Sequence, residues 1–145
     1  MDVDHHYFGI ISHGYVPSLA PREAKDLLNY SGYTYIDIRK EEEYNKCHVD
    51  VPRVLNIPEM VHTRQGWVPN PNFMKEITSR FVKRDRLFLG SKTGAESAPI
   101  VSKLIFTHGF LNVINMEGGF DAWLEKGYPL LGYGKPEEEE ARDEL

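Results

Sequence analysis

Cysteine occurs once in this 145-residue chain, at position 47. One thiol excludes an internal disulfide framework and a multi-cysteine metal site, and it suits a reducing compartment. Long apolar runs are also missing. Stretches such as "PIVSKLIF" fall far short of the roughly 18–20 residues that a membrane-spanning helix needs, so no bilayer crossing is expected. Nor is there a basic excess: the formal net charge is -5, with Lys and Arg scattered along the chain, which argues against a nucleic-acid partner. The opening "MDVDHHYFGIISHGY" puts Asp and His where a secretory leader carries a basic start and an apolar core, so no removable targeting segment is expected. His5, His6 and His13 lack the spacing and the acidic or cysteine companions of a metal site. No metal and no cofactor is expected.

What is present is ordinary globular composition, 41% hydrophobic and 27% charged. The length suits one domain with a real core. The expected boundaries are an N-terminal extension over residues 1–16, a domain over 17–131 and an acidic tail over 132–145. That tail ends "KPEEEEARDEL", close to an endoplasmic-reticulum retention address. Without a leader such an address cannot be read, so the tail reads as a solvated charge block.

Elements alternate along the domain. In "PREAKDLLNYSG" Ala24, Leu27 and Leu28 share a helical face, and Gly32 sits where the helix would stop. "YTYIDI" (residues 33–38) is rich in β-branched and aromatic residues, as a buried strand should be. "KEEEYNK" reads as one or two helical turns, and "RVLNIP" as a short strand stopped by Pro58. Residues 59–72 contain Gly66, Pro69 and Pro71 and keep no period, which predicts a long surface loop beside a site, with Trp67 near its mouth. A helix is expected over "NFMKEITSRF", with Phe73, Ile77 and Phe81 on one face and Asn72 as N-cap. "RLFLG" is a strand, "SAPIVSKLIFTHG" a helix closed by Gly109, "LNVINM" a strand and "GGFDAWLEKG" a last helix closed by Gly127. This alternation implies an α/β fold whose parallel sheet is covered on both faces. Ligands bind such sheets beyond the carboxyl ends of the strands. There lies "SKTGAES", between a strand and a helix N-terminus that can cradle an anion or lower a thiol pKa.

Two separated signatures give the chain a specific resemblance. "YIDIRKEEEYNKCHVDVPRVLNIP" carries Asp37, Arg39, Glu43, Tyr44, His48 and Asn56-Ile57-Pro58. "NVINMEGGFDAWLEKGYP" carries Gly118, Gly119, Trp123, Gly127 and Pro129. Both resemble the signatures of single-domain rhodanese (thiosulfate sulfurtransferase homology) domains of the small plant type, over about Pro17 to Pro129. The resemblance implies a rhodanese-like fold, a five-stranded parallel sheet flanked by helices on both faces. It also implies an active loop of the form Cys-x-x-Gly-x-Arg-Ser, whose thiolate accepts a sulfur atom as a persulfide.

The aligned loop here is Ser91, Lys92, Thr93, Gly94, Ala95, Glu96 and Ser97. Gly94 and Ser97 match; Ser91 stands for the nucleophile and Glu96 for the arginine. An aliphatic hydroxyl is a weak nucleophile without a base beside it, and no histidine accompanies Ser91 in the loop. An oxygen also cannot form the disulfide-like persulfide. The reading is therefore a domain inactive in sulfur transfer as sequenced, serving as a binding or regulatory module. The alternative is a thiosulfate sulfurtransferase represented by a Cys-to-Ser form at 91. Glu96 favours natural loss of the nucleophile, because a silencing exchange would not need it. Glu96 also sets a carboxylate where an incoming anion wants positive charge, and Lys92 offsets it only in part.

In related domains Asp37 and Arg39 brace the strand end and the active loop, a task suited to a bidentate Arg–carboxylate pair. Cys47 beside His48 suggests a displaced dyad, but neighbours on a helical turn point apart. A helix-end Cys47 and a hydrogen-bonded, structural His48 are expected instead. Partners are a small anionic sulfur donor or a protein, and the plant-type resemblance favours plastid or cytoplasm.

Overall fold

The computed structural model describes residues 8–11 and 14–132. The chain opens with β1 (Phe8–Ile11) and β2 (Gly14–Leu19), followed by α1 (Pro21–Tyr30) and β3 (Thr34–Asp37). Next come α2 (Glu41–Lys46), β4 (Cys47–Val49), β5 (Val54–Asn56), β6 (Met60–Thr63) and β7 (Gly66–Pro69). The second half contains α3 (Phe73–Arg80), β8 (Arg86–Gly90), α4 (Ala98–Phe106), β9 (Asn112–Met116), α5 (Gly119–Glu125) and β10 (Leu130–Gly132). The main sheet runs β1-β2-β9-β8-β3-β5. From β2 to β5 its five strands are parallel, and β1 joins the edge antiparallel. The expected five-stranded parallel sheet is thus present, with an added strand drawn from residues 1–16.

Strand alternation divides the interior into two layers. In β8, Leu87 and Leu89 face α3 and α4, where they pack with Ile36, Ile77, Val101 and Leu104. Phe88 faces the other way, into a layer with Tyr35, Leu28, Met116 and Trp123 from β3, α1, β9 and α5. Full burial on both faces is what a parallel strand requires, and it explains why "RLFLG" reads as an unbroken apolar run. In α1, Pro21 sits at the first helical position, where its missing N–H costs nothing, and Ala24 and Leu28 are buried one turn apart. Burying Leu28 contributes roughly 1.5–3 kcal/mol. At the far end of α4, Gly109 adopts φ +73° and donates its N–H to the Ile105 carbonyl, which closes the helix.

One expectation is corrected. Residues 59–72 are not a long loop, because β6 and β7 form an antiparallel hairpin within them. Its turn is fixed locally: the Gln65 N–H donates to Thr63 Oγ1 at 3.1 Å, and that hydroxyl donates to the Gly66 carbonyl at 2.9 Å. Pro69 fits because, among the described residues, the hairpin pairs only with itself, so a missing donor on its edge breaks no ladder. Asn72 occupies the N-cap position of α3 but makes no side-chain cap. Asn70 does the tying instead: its Oδ1 accepts the Asn72 N–H and its Nδ2 donates to the Pro58 carbonyl. A further small ladder joins β10 to β4, pairing Gly132 with Cys47.

Candidate active site

Ser91 is the first residue after β8, at the carboxyl edge of the sheet. Its side chain is nearly sealed, with 2% exposure. Ser91 Oγ accepts the Gly94 N–H at 2.9 Å and lies 2.9 Å from Ser97 Oγ. Ser97, fully buried, donates to Asn115 Oδ1 at 2.6 Å. Asn115 Nδ2 donates to the Gly94 carbonyl at 3.2 Å and completes the ring. Asn115 is supplied by β9, the neighbour of β8.

The loop backbone rests directly on the start of α5. The Phe120 N–H donates to the Ser91 carbonyl at 2.8 Å, and the Asp121 N–H to the Lys92 carbonyl at 3.0 Å. This approach explains two glycines. A Cβ on Gly119, at φ +60°, would lie 2.5 Å from the Ser91 carbonyl; one on Gly94, at φ +91°, would lie 2.8 Å from the Gly118 nitrogen. Only glycine allows the two backbones to meet there. Outside, Lys92 Nζ pairs with Asp121 at 2.9 Å, a solvated contact.

The loop's own acid takes its amides. Thr93 donates both its N–H (3.2 Å) and its hydroxyl (2.9 Å) to Glu96 Oε1, and the Ala95 N–H donates to Thr93 Oγ1 at 3.3 Å. Burial alone would raise the Glu96 pKa. Hydrogen bonds from its own N–H, from the Thr93 hydroxyl and N–H, and from Ser91 outweigh burial and hold it below the ordinary carboxylate value. Facing the loop is a cavity of about 240 Å³. Arg39, Lys40 and Lys92 give it positive groups, while Glu43, Glu59 and Glu96 oppose them. Burial first, and the Glu96 charge second, push Glu59 above its usual pKa.

Asp37 and Arg39 sit beneath this cavity as a buried pair. Arg39 Nη2 reaches Asp37 Oδ2 at 2.9 Å, and its Nε lies 3.1 Å from Oδ1. Arg39 also donates to the Cys47 carbonyl at 2.7 Å, and its guanidinium lies 3.9 Å from the centre of the Phe120 ring on α5. Asn56 Nδ2 ties the carbonyls of Asp37 and Arg39, both at 2.9 Å. Next to Asp37, the Ile38 N–H donates to the Gly90 carbonyl at 2.9 Å, the last bond before the loop. Tyr35 lies one pleat below, fully buried, with its hydroxyl in the space a Gly90 side chain would fill. That hydroxyl has no hydrogen-bond partner among the described residues.

Cys47 is buried and opens β4, so it alternates with His48 across a strand rather than sharing a helical turn with it. His48 Nδ1 bonds the Tyr44 carbonyl at 2.9 Å, and its ring stacks on Tyr44 at 3.9 Å. Trp67, on β7, does not line the loop cavity. It borders a neighbouring groove, and Lys40 Nζ lies 4.2 Å above its ring. His5, His6 and His13 lie outside the described residues, as does the tail from residue 133. Sequence reasoning missed Asn115 and Glu59. A polar residue inside the apolar strand "NVINM" was the available signal for Asn115; nothing local marked Glu59.

Comparisons with known proteins agree with this geometry. Residues 20–126 match the Rhodanese-like domain family. Rhodanese-like domain-containing protein 17 of Arabidopsis thaliana is 43% identical over 108 residues, covering 74% of this chain and 68% of that protein. Thiosulfate sulfurtransferase 18 of the same plant is 34% identical over 115 residues, covering 79% and 83%. Among solved structures, the polysulfide-sulfur transferase homodimer of Wolinella succinogenes superposes with a TM-score of 0.61 at 25% identity, covering 79% of this chain and 77% of that one. The strand order, the loop after β8 resting on α5, and these matches together place the chain in the rhodanese-like domain family.

Proposed function

We propose that this domain, as sequenced, carries no sulfur and acts as a binding or regulatory module built on a sulfurtransferase fold. The observation that carries the reading is Ser91: it holds the loop position that the resemblance assigns to the sulfur-accepting cysteine, and its hydroxyl is engaged by Gly94 and Ser97. In sulfur transfer a thiolate attacks the outer sulfur of thiosulfate, forms an S–S bond and expels sulfite. Cyanide or a thiol then takes the outer sulfur and restores the thiolate. A hydroxyl oxygen offers no such exchangeable bond. Glu96 supports the same reading, because its carboxylate already accepts from Thr93 at the place an incoming anion would use.

A second reading is an active thiosulfate sulfurtransferase represented here with serine at 91. Two observations favour it. The Gly94 N–H points at Ser91 Oγ as a donor would point at a thiolate, and a relative 34% identical is named a thiosulfate sulfurtransferase. The partner is then a small anionic sulfur donor; under the first reading it is a protein.

The deciding experiment is a thiosulfate:cyanide assay on the protein and on Ser91→Cys, with mass spectrometry to locate any added sulfur atom. The protein as sequenced is expected to form no thiocyanate above background and to gain no sulfur. Measurable turnover by it would sink the first reading. Full activity of Ser91→Cys with Glu96 retained favours the second reading, and an inactive, folded variant favours long-standing loss.

A further inference from the structure

Beside the loop cavity lies a groove of about 540 Å³ between the start of α2 and the β6–β7 hairpin, and Met60 borders both. This volume is in the range of sites that hold small molecules or a few side chains. One wall is largely apolar: Met60, Val61 and Trp67, which stays 38% exposed beside Lys40, whose Nζ lies 4.2 Å from the ring centre. The other carries Glu41 and Glu42, both exposed, and no ion pair reaches either of them among the described residues.

These carboxylates stabilise the first turn of α2 through the helix dipole. That role explains their position in α2 but not the open apolar wall across from them. Arg39 is held by Asp37 and Lys92 by Asp121, while Lys40 lies over the Trp67 ring at the groove itself and pairs with neither carboxylate. Because β6 and β7 pair only with each other among the described residues, the hairpin retains outer backbone groups that an added extended segment can pair with. Acidic ligands are disfavoured here, since Glu41 and Glu42 would repel them across a short distance.

We propose that this groove docks a basic, extended segment of a partner protein. An Arg or Lys of that segment meets Glu41 and Glu42, while a neighbouring apolar side chain packs on Met60, Val61 and Trp67. The inference goes beyond the reading of the loop: no residue from 91–97 lines the groove, so docking does not depend on whether position 91 transfers sulfur.

The test uses an acetylated peptide alternating valine and arginine, followed by calorimetry and by the tryptophan indole N–H resonances of the full chain. The peptide is expected to shift the Trp67 signal and leave that of buried Trp123 in place. Glu41→Gln/Glu42→Gln together should weaken binding about tenfold, the effect of one good charge contact, with an otherwise unchanged spectrum. Peptides with glutamate for arginine, or serine for valine, should bind poorly. An unmoved Trp67 resonance, equal binding of either control peptide, or an affinity indifferent to the double variant would overturn the proposal. The titration repeated on Ser91→Cys should give the same affinity, so failure here and failure of the loop reading are seen separately.

Discussion

The loop after β8 and the hairpin after β5 lie side by side at the carboxyl end of the same sheet, and they treat their polar groups in opposite ways. The loop turns inward. The amides of Thr93, Gly94 and Ala95 are met by Glu96, Ser91 and Thr93 itself, and its first two carbonyls by α5. The hairpin turns outward, with exposed Trp67, His62 and open edges. Dense internal hydrogen bonding fixes a geometry and leaves little for a ligand to gain, whereas unmet groups beside an apolar wall favour association. The contrast separates a loop whose polar groups are met from within from a hairpin whose side chains face outward.

Four variants test that contrast, beginning with the largest effect. Gly119→Ala should destabilise the domain by roughly 2–4 kcal/mol, because the new methyl group meets the Ser91 and Lys92 carbonyls and the backbone stays at positive φ. Gly66→Ala meets nothing within 4 Å, so it should cost only about 1–2 kcal/mol for its left-handed conformation. Urea denaturation of the pair checks the order, and equal losses would break the contrast.

Tyr35→Phe should raise stability by about 1 kcal/mol, since it removes a sealed hydroxyl that has no partner among the described residues. The same urea midpoints measure it, and a loss would mean the hydroxyl is satisfied in solution. The smallest effect is electrostatic. Burial, then the Glu96 charge, hold Glu59 above its ordinary pKa, so Glu96→Gln should lower the Glu59 midpoint part of the way back. Carboxyl-carbon NMR titration reads this directly. The sign for stability follows from linkage: a carboxyl with a raised folded pKa destabilises the fold as pH rises from its unfolded value through the raised one. Removing the Glu96 charge should therefore reduce the destabilisation by Glu59 above that window. At the same time it removes the stability that Glu96's own lowered pKa contributes, which is lost as pH falls through that lowered value.

Strands β3, β8 and β9 were legible because burial on two faces demands runs such as "YTYID" and "RLFLG", which no surface segment would use. The helices were legible from the spacing of Ala24 with Leu28 and of Phe73 with Ile77. The hairpin was hidden, because Pro69 and Gly66 are the usual signs of irregular chain and only the edge position makes them harmless. β2 was hidden as well: it contains Pro17, and it meets β9 through just Ser18 and Leu19. In the site, the span 91–97 could be read because it is contiguous. The Ser91–Ser97–Asn115 ring and the Glu59–Glu96 opposition could not, since each closes only when separate elements come together.

The pairing of β10 with β4 fastens the domain across its length. The last described strand docks on a strand from the first half of the chain, against Cys47, while the loop after β8 and the hairpin both lie between the two. β4 thereby gains a partner along one edge, and a paired edge offers no template to another chain. Residues 130–132 therefore act as a guard on that edge, and a chain shortened at residue 129 would present β4 for pairing with a second copy.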